Sequence, residues 1–158
     1  MENSIKKFFS LDDLKRLKNL ERKKITTVTY FVWINKIAEN NPYVFIDKLK
    51  LEFNDGNEII LSAGEESDHL YFDDNFDFMS ESENLKNEFE GKIILKEHSA
   101  SNDKFWIDII GKEIMNVQLS KDGDYYLADA LIFDFGEEKR LIAISPEEGL
   151  IIDFHEEI

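Results

Sequence analysis

With 34 acidic side chains against 19 basic ones in 158 residues, the chain carries a net charge of −15, which repels nucleic acids and anionic membranes and attracts cations and basic proteins. Its 42% of hydrophobic residues exceeds what a disordered chain holds and suffices for one folded domain over residues 1–158. Cysteine is absent, which excludes disulfides, thiolate metal sites and a thiol nucleophile, and no apolar run has the length of a signal-peptide core or a membrane span. The expectation is a cytoplasmic protein with no DNA, RNA or membrane among its partners.

The charge is unevenly spread. Residues 1–24 hold eight Lys/Arg and four Asp/Glu, a net of +4, whereas the remaining 134 hold 11 and 30, a net of −19. Ser10 followed by Leu11, Leu14, Leu17 and Leu20 predicts a helix over 10–24. Ser10 caps it, Asp12 and Asp13 suit the positive end of its dipole, and Lys15, Arg16, Lys18, Arg22, Lys23 and Lys24 lie toward the other end. Because the leucines recur every three residues, their stripe drifts around the helix.

ITTVTYFVWI at 25–34 is β-branched and aromatic almost throughout, and predicts a strand buried on both faces or lying at a sheet centre. Asn40, Asn41 and Pro42 break the chain. From Asp47 onward, Leu49, Leu51 and Phe53 alternate with Lys48, Lys50 and Glu52, the pattern of a half-buried strand with one wet face. A turn at 54–57 containing Gly56 leads to a partner strand at 58–62, and 69–72 reads as a third strand.

The section 73–103 reads as an acidic connector with a short helix near 80–90 stopped by Gly91, a strand at 92–96 and a loop at 98–103. The steepest acidic run spans 65–90, with ten Asp/Glu and only Lys86 against them. Segments at 105–110 and 113–119 follow, then a turn at 121–124 and strands near 125–135, 139–145 and 149–154. An ungapped shift of 82 residues lays 47–72 over 129–154 with seven of the 26 pairs identical, among them Asp47/Asp129, Phe53/Phe135, Glu65/Glu147, Glu66/Glu148 and Phe72/Phe154. A different offset aligns Trp33-Ile34-Asn35 with Trp106-Ile107-Asp108. The expected fold is α+β and mainly antiparallel. Two similar β-meander units, about 25–72 and about 104–154, pack together as two layers or one curved sheet, with the N-terminal helix (10–24) covering an end.

Glu65, Glu66, Asp68 and His69, followed by Asp73, Asp74 and Asp77, supply oxygen and nitrogen ligands, but no twelve-residue calcium loop occurs. The run reads as a solvated loop with neither metal nor cofactor. His69, His98 and His155 share no spacing, and no nucleophile motif or glycine-rich phosphate loop accompanies them, so nothing marks an enzyme. Trp33 and Trp106 read as core. The basic helix faces a negative body, so its cations suit an internal electrostatic role as readily as a nucleic-acid one.

WIDIIGKEI at 106–114, together with YYLADALIFDFGEEKRLIAISPEEGLII at 125–152, resembles the closing segment of small bacterial proteins, some of them of the immunity type of polymorphic toxin systems. The resemblance covers the last third of the chain and carries no site residues. Beside the net −19 body, it implies an acidic module that binds a basic protein, using charge to speed encounter and an aromatic centre to hold on. Glu65, Glu66, Asp68, Asp73, Asp74 and Asp77 are then the candidate contacts. One alternative is a small-ligand or metal-dependent enzyme with a carboxylate-lined groove between the repeats; a structural subunit is another.

Overall fold

A computed structural model describes residues 7–38, 40–63 and 68–155, so Glu65 and Glu66 lie outside the described residues. The first element, α1 (Leu11–Lys18), starts as expected: Asp13 N–H donates to Ser10 Oγ at 3.1 Å, and Ser10 N–H donates to Asp13 Oδ2 at 3.2 Å. It stops well short of Lys24. Arg22 turns into the left-handed region (φ 75) and donates its N–H to Ile114 O at 2.7 Å, which aims the chain into the sheet. The three-residue leucine spacing has a visible cost: Leu17 and Leu20 are buried, while Leu11 has drifted off the docked face and is 77% exposed.

β1 (Ile25–Asn35) and β2 (Tyr43–Phe53) form a long antiparallel hairpin at the centre of a nine-stranded sheet. β3 (Glu58–Ser62) pairs with the second half of β2, and the two-residue β4 (Tyr71–Phe72), shorter than the strand expected at 69–72, closes that flank. α2 (Phe78–Glu88) is capped by Asp77 and followed by Gly91 at φ +79. β5 (Ile93–Ser99) then pairs along the other edge of β1. β1 therefore has neighbours on both edges, and the section read as a connector supplies both a helix and a sheet strand. His98 and Ser99, expected in a loop, end that strand.

The chain next runs through helical turns over 103–110, where Trp106 N–H donates to Asp103 O and Ile110 N–H to Trp106 O. Trp33 on a strand and Trp106 on a turn thus share no local geometry. β6 (Asn116–Gln118) is followed by a small separate ribbon, β7 (Lys121–Asp122) and β8 (Tyr125–Tyr126), turned at Gly123. β9 (Ala130–Asp134), β10 (Lys139–Ser145) and β11 (Gly149–Phe154) then run antiparallel in sequence, with β6 outside β9.

The second run joins the first through a short parallel pairing, β11 on β2, at Gly149, Leu150 and Ile46. Gly149 has φ +70, and a Cβ there would sit 2.6 Å from both Ile46 O and the Phe45 ring, so only glycine lets the backbones approach.

The fold is thus α+β and mainly antiparallel. The 82-residue correspondence does not carry through as register. Phe53 and Asn57 close the β2–β3 turn, whereas Phe135 and Glu138 close a turn one residue shorter between β9 and β10. The second turn differs more: Phe72 lies opposite Leu61, but Phe154 lies opposite Arg140. Glu147 and Glu148 sit in the tight turn before Gly149, while the connection that contains Glu65 and Glu66 is longer.

Packing separates the two faces of the central hairpin. Val28, Tyr30, Leu49, Leu51, Phe53 and Leu61 point into the main core with Trp106, Ile109, Leu131, Phe133 and Ile142. The Trp106 indole donates to Tyr30 Oη at 2.6 Å; burial first, then the Asp103 charge, pushes the Tyr30 hydroxyl up to about 12 against that bond. The opposite face is not simply wet. Phe31 is 3% exposed beneath Phe76 and Phe78, and Lys48 is 4% exposed.

Candidate functional site

The covered second face holds a groove of about 610 Å³ between the central hairpin and α2. Its floor begins with Trp33 and Phe45, cross-strand partners whose rings lie 5.7 Å apart at 26°. The register then passes from Phe31 opposite Lys48 to Val32 opposite Ile46, leaving Asp47 as an extra residue in β2. Such a bulge re-aims side chains. Here it brings Asp47 and Lys48, neighbours that an unbroken strand would send to opposite faces, into the same groove.

Lys48 Nζ donates to Ser62 Oγ at 3.0 Å and to Asp73 Oδ2 at 2.9 Å, and lies 3.7 Å from Asp47 Oδ2. The Phe76 ring centroid is 5.0 Å away. Burial opposes the Lys48 charge, but the hydrogen bond with Asp73 and the nearby Asp47, Tyr71 and Asp73 outweigh it and raise the ammonium above its usual range. α2 forms the far wall with Glu81, Asn84, Leu85 and Glu88, residues spaced to share one helical face, and Phe89 follows them. Burial raises the Asp47 carboxyl, with Lys48 pulling it back and Asp73 adding to the rise. Glu81 is raised in the same way, by burial first and by the Asp73 and Asp47 charges, against Lys48. Asp47, Asp73 and Glu81 thus share the field of one ammonium, Glu88 lines the same groove, and Trp33, Phe45, Tyr71 and Phe89 add aromatic surface, an arrangement suited to holding a further positive charge or to moving a proton.

Each candidate contact among the described residues of the acidic run has a partner within the chain. Asp73 holds Lys48; Asp74 accepts two bonds from Arg16, at 2.8 and 2.9 Å; Asp77 caps α2; Asp68 pairs with His69 at 2.7 Å. Hydrogen bonds from His69 and from Arg16 hold the Asp68 and Asp74 carboxyls below their usual range. Residues 73–78 are a strap that ties α1 to the second sheet face and carries Phe76 and Phe78 onto Phe31. The cations of the N-terminal segment are spent the same way: Arg16 on Asp74, Arg22 on Glu113 and Lys23 on Asp55. No group of three or more His, Asp or Glu able to hold a metal ion occurs among the described residues. No helix described is long and apolar enough to cross a membrane.

Of the groove residues, Asp73, Glu81 and Glu88 all fall in the acidic run of 65–90, but only Asp73 is among the six candidate contacts. Trp33, read as core, is only partly buried at the groove, whereas Trp106 is fully buried. Lys48 looked solvent-facing because the alternation of β2 cannot announce that a strap covers its polar face. The readable signal was the 81/84/85/88 spacing, which marks one face of a helix otherwise too polar to have a core role. The groove also lies within the first β-run and α2, not between the two runs. Comparison of the chain with protein-family models, with curated proteins and with solved structures finds no match.

Proposed function

We propose that the protein is an acidic binding module for a basic protein, acting as an immunity-type inhibitor of a cognate cationic bacterial toxin. The observation that carries this reading is the groove: a volume of about 610 Å³, aromatic on one side, with Asp47, Asp73, Glu81 and Glu88 outnumbering Lys48. A net charge of −15 draws a basic partner in, and a desolvated aromatic centre gives it a place to anchor. The resemblance of 106–114 and 125–152 to small bacterial proteins, some of them of the immunity type, fits the same reading. The two β-runs serve as scaffold, similar meanders whose differences carry the function. Co-expression with the product of the adjacent reading frame tests it: a co-purifying, salt-sensitive complex and relief of toxicity are expected, and the absence of both overturns it.

A second reading draws on one observation, the two carboxyls raised by burial in a cleft, which is where small-ligand and acid–base sites are found. Thermal-shift screening against metabolites and divalent ions tests it; no shift with any of them removes this alternative.

A further inference from the structure

We propose that the groove is an arginine socket, in which one arginine side chain of the partner lays its guanidinium on the Trp33 ring and forks onto the carboxylates of Asp47 and Glu81. The inference rests on the reading of the protein as a binder of basic proteins and adds to it the side chain recognised and the place where it binds.

Charge decides the sign of the occupant. Lys48 is 4% exposed and already held by Asp73 and Ser62, so it offers little to an anion; its ammonium lies 3.7 Å from Asp47, one cation shared between two aspartates, and no ion pair to Glu81 or Glu88 occurs among the described residues. Burial disfavours the charged forms of Asp47 and Glu81, and a cation arriving between them relieves that strain.

Shape decides between cations. Trp33 and Phe45 stack on one another at 5.7 Å and 26°, and both line the groove, so a planar aromatic ring held in place by its neighbour borders the space. A planar, weakly hydrated guanidinium stacks on such a surface and reaches two acceptors at once, whereas an ammonium is a compact, strongly hydrated point charge.

The surroundings of the groove favour an arginine carried by a polypeptide. Phe45 lies 5.5 Å from Tyr43, which is 46% exposed and two residues away on the same face of the strand. The Tyr43 ring extends the aromatic surface beyond the groove for the residues that flank the arginine. The far wall can adapt, because no residue of α2 is fully buried.

The test uses the full chain and three capped peptides, identical except for a central arginine, lysine or citrulline, titrated by calorimetry and by NMR of the two indole N–H signals. The arginine peptide is expected to bind and to shift the Trp33 indole while leaving the buried Trp106 indole in place. The lysine peptide is expected to bind about tenfold more weakly, and the citrulline peptide not to bind measurably. Glu81→Gln, at a half-buried position on the helix wall, is expected to weaken the arginine peptide several-fold with an unchanged circular-dichroism spectrum; Trp33→Ala is the second variant. Equal binding of the arginine and lysine peptides, or binding that leaves Trp33 unmoved, overturns the socket while leaving the basic-partner reading standing. If neither basic peptide binds and co-expression yields no complex, both fall. N-acetyl-arginine amide binding as tightly as the peptide overturns the polypeptide source and favours a small cation.

Discussion

The two β-runs each bury a cation and treat it in opposite ways. Lys48, on β2, faces a groove and is shared among Asp73, Ser62 and the more distant Asp47. Arg140, on β10, is fully enclosed: its Nε donates to Phe105 O, its Nη1 donates to Glu138 Oε2 at 2.8 Å and to Lys139 O at 2.9 Å, and Phe154 covers the guanidinium at 4.6 Å. Its Nη2 has no hydrogen-bond partner among the described residues. The arginine is a packing element that ties the 105 turn to the sheet, with its Glu138 partner partly in solvent. The lysine is surrounded by more charge than it neutralises. A buried cation with surplus acid and open space beside it points to binding, and one sealed by aromatic rings points to structure.

The junction between the runs provides the most disruptive test. Gly149→Ala places a methyl group against Ile46 O and the Phe45 ring at a positive φ, combining steric overlap with backbone strain. A loss of about 4 kcal/mol is expected in urea unfolding. If the variant is as stable as the parent, β11 is not held on β2 by close backbone approach. Arg140→Ala comes next, at about 3 kcal/mol, from a vacated space and lost bonds to two carbonyls and a carboxylate. Because Glu138 is 40% exposed and hydrates when released, that loss should change little between about pH 5 and 8, above the carboxylate range.

Lys48→Met should behave differently, which makes it the sharpest probe of the contrast. Removing the ammonium leaves Asp47, Asp73 and Glu81 facing one another. Some of the resulting repulsion is relieved by water entering the groove, so a loss of about 2 kcal/mol is expected at neutral pH. That loss should shrink as the pH falls toward about 4 and the raised carboxyls take up protons. Melting temperatures of both variants across this range decide the matter: parallel curves would mean that the lysine, like the arginine, is only structural.

What the sequence made legible follows from what each residue reports about itself. The β3, β10 and β11 bounds were readable because β-branched alternation and turn residues are local signals. The central place of β1 was readable because its apolar character extends to both faces. The shortened α1 was not, because its end is set by Arg22 N–H meeting Ile114 O, a contact between distant residues. The groove was hidden for a similar reason: the bulge at Asp47 changes which face its neighbours occupy, and bulges leave no composition signature. The acidic run reads as a surface, yet the bonds from Lys48 and Arg16 turn its middle into a fastening.

Glu81→Gln tests the smallest effect and the one with the clearest sign. Burial and two like charges raise the Glu81 carboxyl in the folded protein. An acid raised on folding supports the folded state fully below its unfolded value, near 4.3, and loses that support as the pH rises through the folded value. The parent therefore carries a small penalty at pH 7 that the neutral amide removes. The variant should be more stable than the parent at pH 7, by a few tenths of a kcal/mol because the site is partly solvated, and indistinguishable from it near pH 4. A variant less stable at pH 7 would mean that Glu81 is an established partner of Lys48, and that the groove has no surplus negative charge to offer an incoming cation.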